Sequence, residues 1–157
     1  MKSEWSMDDF WYCPFEYIER VDDYPLCIFH EEFQDCHKLM QLFRPFEING
    51  MKFPKRLCYT PTEETCPIFM EWLKESRYTS AEVFILKPGA TIPPHVHEEE
   101  YLYNMCVSSS GGVRFQFIPG GLIPYREGDI YRLEVRYPHS VVNMGVTDRY
   151  HVVLKDL

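Results

Sequence analysis

The chain has 157 residues, of which 45% are hydrophobic and 16% aromatic, and its formal net charge is −8. That length buries roughly 70% of the unfolded surface in one domain, the aromatic share excludes a disordered chain, and no apolar run reaches the ~20 residues of a membrane span. Acidic residues outnumber basic ones ten to two over residues 1–36 and equal them at fourteen each over 37–157, an excess that argues against nucleic acid or an anionic membrane as partner.

In chain order, the N-terminal MKSEWSMDDF carries acids where a signal peptide has a basic segment and an apolar core, which predicts a cytoplasmic protein. Residues 1–79 read as a helical or irregular acidic extension, rich in aromatics and interrupted by Pro14, Pro25, Pro45 and Pro54. A helix is predicted over 31–43, with Phe33, Leu39, Leu42 and Phe43 as its apolar positions. A second is predicted over about 62–76, capped by Thr62 or starting at Pro67, with Ile68, Phe69, Trp72 and Leu73 as its stripe. From residue 80 the texture changes. AEVFILK, EYLYNMCV, VRFQFI, DIYRLEV, SVVNM and YHVVLKD are rich in β-branched and aromatic residues, and Pro and Gly separate them. Strands at such regular spacing predict a mainly β barrel or sandwich over 80–157, with N-terminal helices packed outside it and residues 1–157 forming one domain. Six cysteines without any CxxC pair read as reduced, mostly buried thiols.

Four of the six histidines lie in the β region. His95 and His97 stand two apart, so on an extended strand both imidazoles point the same way, and Glu99 shares that face if the strand continues. Such a pair is either two metal ligands or two surface histidines. His139 and Arg149 add to it: a hairpin turning near Met144-Gly145 brings them opposite one another across a ladder. A metal ligand with an arginine beside it suits a site where iron keeps open positions, an acidic co-substrate such as 2-oxoglutarate chelates it, and Arg149 grips the far carboxylate. Taken alone, Arg149 reads better as half of a surface ion pair with Asp148 or Asp156.

The stretch 128–156, GDIYRLEVRYPHSVVNMGVTDRYHVVLKD, resembles the C-terminal motif of the aspartyl/asparaginyl β-hydroxylase-like family. Those are iron(II)- and 2-oxoglutarate-dependent oxygenases with a double-stranded β-helix, the jelly-roll or cupin-like barrel. The matching residues are His139-Ser140-Val141-Val142-Asn143, Arg149-Tyr150-His151-Val152 and Asp156, and ILKPGATIPPHVH upstream is similar to the family's approach to its first ligand. The resemblance implies that His95 and His139 bind iron(II), with His97 as third ligand or facing substrate, and that Arg149 binds 2-oxoglutarate. Glu99 is an alternative third ligand one strand step further on.

The chain departs from the family in having His-x-His where most 2-oxoglutarate oxygenases have His-x-Asp/Glu, and Asn104-Met105-Cys106 where the β-hydroxylases have Arg-x-His. Asn104 can still hydrogen-bond the co-substrate, and His151, sharing the face of Arg149, either orients it or is a structural histidine. The implied activity is a dioxygenase hydroxylating an amino-acid, peptide or small-molecule C–H bond, with SSSGG at 108–112 or the acidic arm as a lid over the barrel mouth. Two other readings stay open: a cupin metalloenzyme independent of 2-oxoglutarate (a three-His dioxygenase or an isomerase), suggested by Gly89-x5-His95-x-His97 and His139-x3-Asn143, and a non-enzymatic β-barrel binding module.

Overall fold

A computed structural model describes residues 13–109, 112–118 and 120–156. The first twelve residues of the acidic arm and residues 110–111 of the candidate lid lie outside them. Eleven strands form two antiparallel sheets among the described residues. The larger is ordered β1 (Phe15–Arg20), β9 (Asp129–Leu133), β6 (Leu102–Ser108), β11 (Arg149–Lys155), β4 (Ser80–Leu86), β3 (Met51–Tyr59), β2 (Arg44–Ile48). The smaller is ordered β5 (Thr91–His95), β10 (His139–Asn143), β7 (Val113–Phe117), β8 (Gly121–Leu122). The two sheets make the mainly β architecture that the strand spacing predicts, in the double-stranded β-helix form that the resemblance implies.

The central strands of the large sheet are buried on both faces, because each face has something to pack against. Tyr150, Val152 and Leu154 of β11, with Val83 and Ile85 of β4 and Tyr103, Met105 and Val107 of β6, join the cluster built on Phe29, Phe33 and Phe69. Those three phenylalanines come from helices α1 (Asp23–Lys38) and α2 (Pro67–Glu75), which therefore cover the outside of the barrel. The helices are joined at one point by a carboxylate. Glu32 of α1 accepts hydrogen bonds from the Ile68 and Phe69 amides at 2.8 and 2.9 Å, satisfying donors that the first turn of α2 leaves open.

The alternate residues, Arg149, His151 and Val153 of β11 among them, face the other way, into the barrel.

Three elements differ from the sequence reading. Helix α1 begins eight residues before the predicted start, since Pro25 falls in its first turn, where no amide donor is needed. It ends before Leu42 and Phe43 because Gln41, at φ +54°, turns the chain away. The stretch read as irregular contributes three strands: β1 pairs with β9 at one edge, while β2 and β3 form a hairpin at the other. Finally, β10 and β11 are not a hairpin. β10 pairs with β5 and β7, and β11 with β4 and β6, so residues 144–148 cross from one sheet to the other. The buried Asn143 side chain holds this crossing, donating to the carbonyls of Leu86 (2.8 Å) and Thr147 (3.0 Å) and accepting from the Gly145 amide (2.9 Å).

Candidate metal centre and anion pocket

Because β10 lies between β5 and β7, His139 stands directly opposite His95 in the β5–β10 ladder. His97 lies just beyond β5, where its amide donates to the Val135 carbonyl at 2.9 Å and returns its ring to the same place. One nitrogen from each of the three imidazoles lies within 4.8 Å of the others. His95 and His97 come together as expected, although His97 does so from just beyond the strand, and the cross-strand partner supplies the third ring.

The tautomers follow from the backbone. The Nδ1 atoms of His95 and His139 each lie 2.8 Å from a carbonyl oxygen, those of Pro93 and Tyr137. A carbonyl only accepts, so both Nδ1 atoms carry a proton, which leaves Nε2 as the atom each ring can offer as a ligand. Nε2 of His95 is 3.1 Å from Nε2 of His97. Two nitrogens each about 2.1 Å from one metal ion and at right angles lie about 3.0 Å apart, so this spacing fits two neighbouring ligands of a single ion. Burial lowers His97, and the neighbouring His95 adds to this; burial also pushes His139 down to about 4, against the Tyr137 bond that favours its charged form. Neutral imidazoles are what a metal requires. Glu99 takes another position: it accepts from Lys155 at 2.9 Å and lies 3.8 Å from Nδ1 of His97, behind the ring. The donor set thus fits a metal ion held by three histidines, with Glu99 as an outer partner.

His139 and Arg149 do not face each other across a ladder, as the hairpin register predicted; Arg149 stands opposite Leu86 of β4. Both side chains nevertheless line one inner cavity of about 40 Å³, because the two sheets face each other across it. Arg149 is 1% exposed, and its two terminal nitrogens find no hydrogen-bond partner among the described residues. Its guanidinium lies 5.3 Å from the centre of the Tyr125 ring, whose hydroxyl donates to Oδ1 of Asn104 at 3.0 Å. His151 lines the same cavity, stacked on Phe84 at 5.3 Å with Nδ1 unpartnered among the described residues. Burial, then the charge of Arg149, holds it well below the ordinary histidine value, so it is neutral. An unpaired buried cation beside a neutral imidazole is a receptor for an anion.

A residue that sequence reasoning missed stands at the same place. Arg56 of β3 pairs with Leu86 from the side opposite Arg149, and it lines both the inner cavity and a wider outer pocket of about 560 Å³. No motif marks it; the nearest signal was Asn49-Gly50, whose positive φ values close the β2–β3 hairpin.

No family model and no curated protein matches the sequence. Solved structures do match the fold. SnoN, the non-heme alpha-ketoglutarate-dependent epimerase from nogalamycin biosynthesis, is 10% identical with a TM-score of 0.68, over 92% of this chain and 77% of that one. HygX from Streptomyces hygroscopicus, solved with nickel and 2-oxoglutarate bound, is 11% identical with a TM-score of 0.63, over 90% and 81% of the two chains. A Pseudomonas putida prolyl-4-hydroxylase is 12% identical with a TM-score of 0.62, over 96% of each chain. At such identities the likeness is one of fold.

Proposed function

We propose that the chain is an iron(II)- and 2-oxoglutarate-dependent oxygenase that hydroxylates a C–H bond of an amino acid, peptide or small molecule. The observation that carries this is the pairing, in one cavity, of a three-imidazole cluster with the unpartnered Arg149 guanidinium. The fold shared with SnoN, HygX and the prolyl-4-hydroxylase supports it, and so does the motif over 128–156 that resembles the β-hydroxylase group.

His95, His139 and His97 are the ligands in this reading, and Arg149 is the co-substrate anchor. When bound, iron(II) and 2-oxoglutarate use dioxygen to place one oxygen atom in a C–H bond and the other in succinate, releasing carbon dioxide. The chain's own work is positioning. The Pro93 and Tyr137 carbonyls lock two imidazoles with Nε2 inward. Arg149 offers its planar fork to a carboxylate in a cavity whose small volume admits that end of the molecule and little water. Neutral His151 adds no competing charge, and Asn104, held through Tyr125, gives the wall a polar edge. Leu86, Leu102, Phe115 and Leu133 make the remaining wall apolar.

The test is to add iron(II) and then 2-oxoglutarate without oxygen and record the visible metal-to-ligand charge-transfer band. The band is expected in the wild type and is expected to vanish in His139→Ala. One observation favours a second reading: three imidazoles, with no carboxylate among them, also suit a cupin metalloenzyme that needs no 2-oxoglutarate. Metal binding without the band selects that reading, and failure to bind metal rejects both.

A further inference from the structure

Arg149 accounts for only one of the two guanidinium groups in the cavity. Between Pro45 and Phe46 the β2–β3 register jumps: Pro45 pairs with Leu57, but Phe46 pairs with Phe53. Residues 54–56 are therefore left without β2 partners, a bulge that accepts Pro54 and re-aims Arg56. The guanidinium carbon of Arg56 lies 4.3 Å from the Phe46 ring centre and 4.4 Å from that of Phe84. The two rings, 5.8 Å apart and inclined at 62° to one another, both lie against the guanidinium, and no hydrogen bond or ion pair engages its N–H groups among the described residues.

We propose that Arg56 is the substrate's carboxylate anchor, and that the substrate is a small carboxylic acid whose apolar body occupies the outer pocket. This rests on the oxygenase reading for the chemistry, though the binding it predicts can be read without turnover. Arg56 stands at the junction of the inner cavity and the outer pocket, beside His95 and His97, which line both. Phe46, Ile48, Phe53, Ile92 and Val96 give the outer pocket apolar walls, and its volume of about 560 Å³ falls in the range that encloses a metabolite-sized ligand. Glu98 and Glu99 are at the exposed rim, and Glu99 is already paired with Lys155. The pocket thus holds one unpaired fixed cation, which matches a single carboxylate better than a phosphate dianion.

Arg56 and Arg149 stand opposite Leu86 on the two strands that flank β4, their backbones about 10 Å apart across the sheet, so two carboxylates can be held at once. Burial lowers Arg56 to about 10, which leaves it cationic at neutral pH.

The experiment loads the protein with zinc(II) and 2-oxoglutarate and measures binding of 3-phenylpropionate and octanoate against their amides by saturation-transfer NMR. The acids are expected to bind at least tenfold more tightly than the amides. Arg56→Met is expected to erase that preference, and Arg56→Lys, which keeps the charge but loses the planar fork, to retain part of it. The anaerobic iron and 2-oxoglutarate band, run on the same variants, is expected to persist and thereby reports an intact fold and co-substrate site. If the wild type forms no band, the oxygenase reading fails while the acid and amide comparison still reads Arg56. Equal binding of acids and amides, no binding of the acids, an acid preference that survives Arg56→Met, or loss of the band in Arg56→Met would each overturn the proposal.

Discussion

Arg149→Met separates function from stability, because the two are expected to move in opposite directions. In the metal-free protein the Arg149 guanidinium is buried with both terminal nitrogens unpartnered among the described residues. Replacing buried ionic groups by apolar ones of similar volume is often stabilising by about 1–4 kcal/mol. The substitution also loses the cation–π contact with Tyr125, whose ring centre is 5.3 Å away, worth about 0.5–2 kcal/mol. The net expectation is a stabilisation of about 1 kcal/mol, read as a rise in Tm of about 2–4 °C for a chain of this size. Co-substrate binding moves the other way. Leaving a buried carboxylate without its partner costs about 2–5 kcal/mol, so the concentration of 2-oxoglutarate that half-saturates the charge-transfer band rises at least about 30-fold. Thermal melts of the metal-free protein and anaerobic titrations of the iron-loaded protein supply both numbers. A lower Tm together with an unchanged titration would refute the reasoning, since Arg149 would then be a structural cation with a partner of its own.

Other consequences concern the scaffold and the metal's outer partner. Asn143→Ala removes the three hydrogen bonds at the sheet crossing, among them the buried one to the Leu86 carbonyl, a loss of about 2–4 kcal/mol in urea unfolding; a loss below about 0.5 kcal/mol means residues 144–148 hold themselves. Acid should destabilise the metal-free protein through its buried neutral histidines. The folded-state value of His139 is lowered to about 4 and that of His151 lies well below 6.5, so their contribution is complete above pH 6.5 and is lost as pH falls from 6.5 toward 4. For His139 alone the linkage amounts to about 3 kcal/mol, and urea midpoints that stay flat from pH 7.5 to 4.5 count against it. Glu99→Gln should weaken cobalt(II) binding by less than about tenfold, because at 3.8 Å the carboxylate acts on His97 only from behind; a loss of several hundredfold makes Glu99 a ligand itself.

Six of the eight strands described from residue 80 onward were legible as β-rich segments; β5, which carries Pro93 and Pro94, and the two-residue β8 were not among them. β4, β6 and β11 pack helices on one side and the barrel interior on the other, so they read as continuous apolar runs. The hairpin β2–β3 was not legible, since it lies at the edge of the large sheet with most residues exposed. An edge strand tolerates Pro45 and a bulge tolerates Pro54, so the prolines that argued for irregular chain mark instead where the ladder is interrupted. Asn49-Gly50, both at positive φ, was the overlooked signal.

The site divides the same way. Whether two side chains share one strand face is local information, and it was enough to join His95 with His97 and Arg149 with His151. Which strands neighbour each other is tertiary information, and the hairpin arithmetic that paired His139 with Arg149 assumed it. That arithmetic reached the right cavity by the wrong route. In a double-stranded β-helix, successive strands alternate between two sheets that face each other, so residues flanking a short crossover meet through the lumen rather than along a ladder. The same geometry explains Arg56. It becomes a neighbour of Arg149 only because β3 and β11 both pair with β4 at Leu86, thirty residues from one partner and sixty-three from the other in sequence. A residue placed by two long-range pairings and a bulge leaves no local signature, so Arg56 lay beyond what sequence reasoning could name.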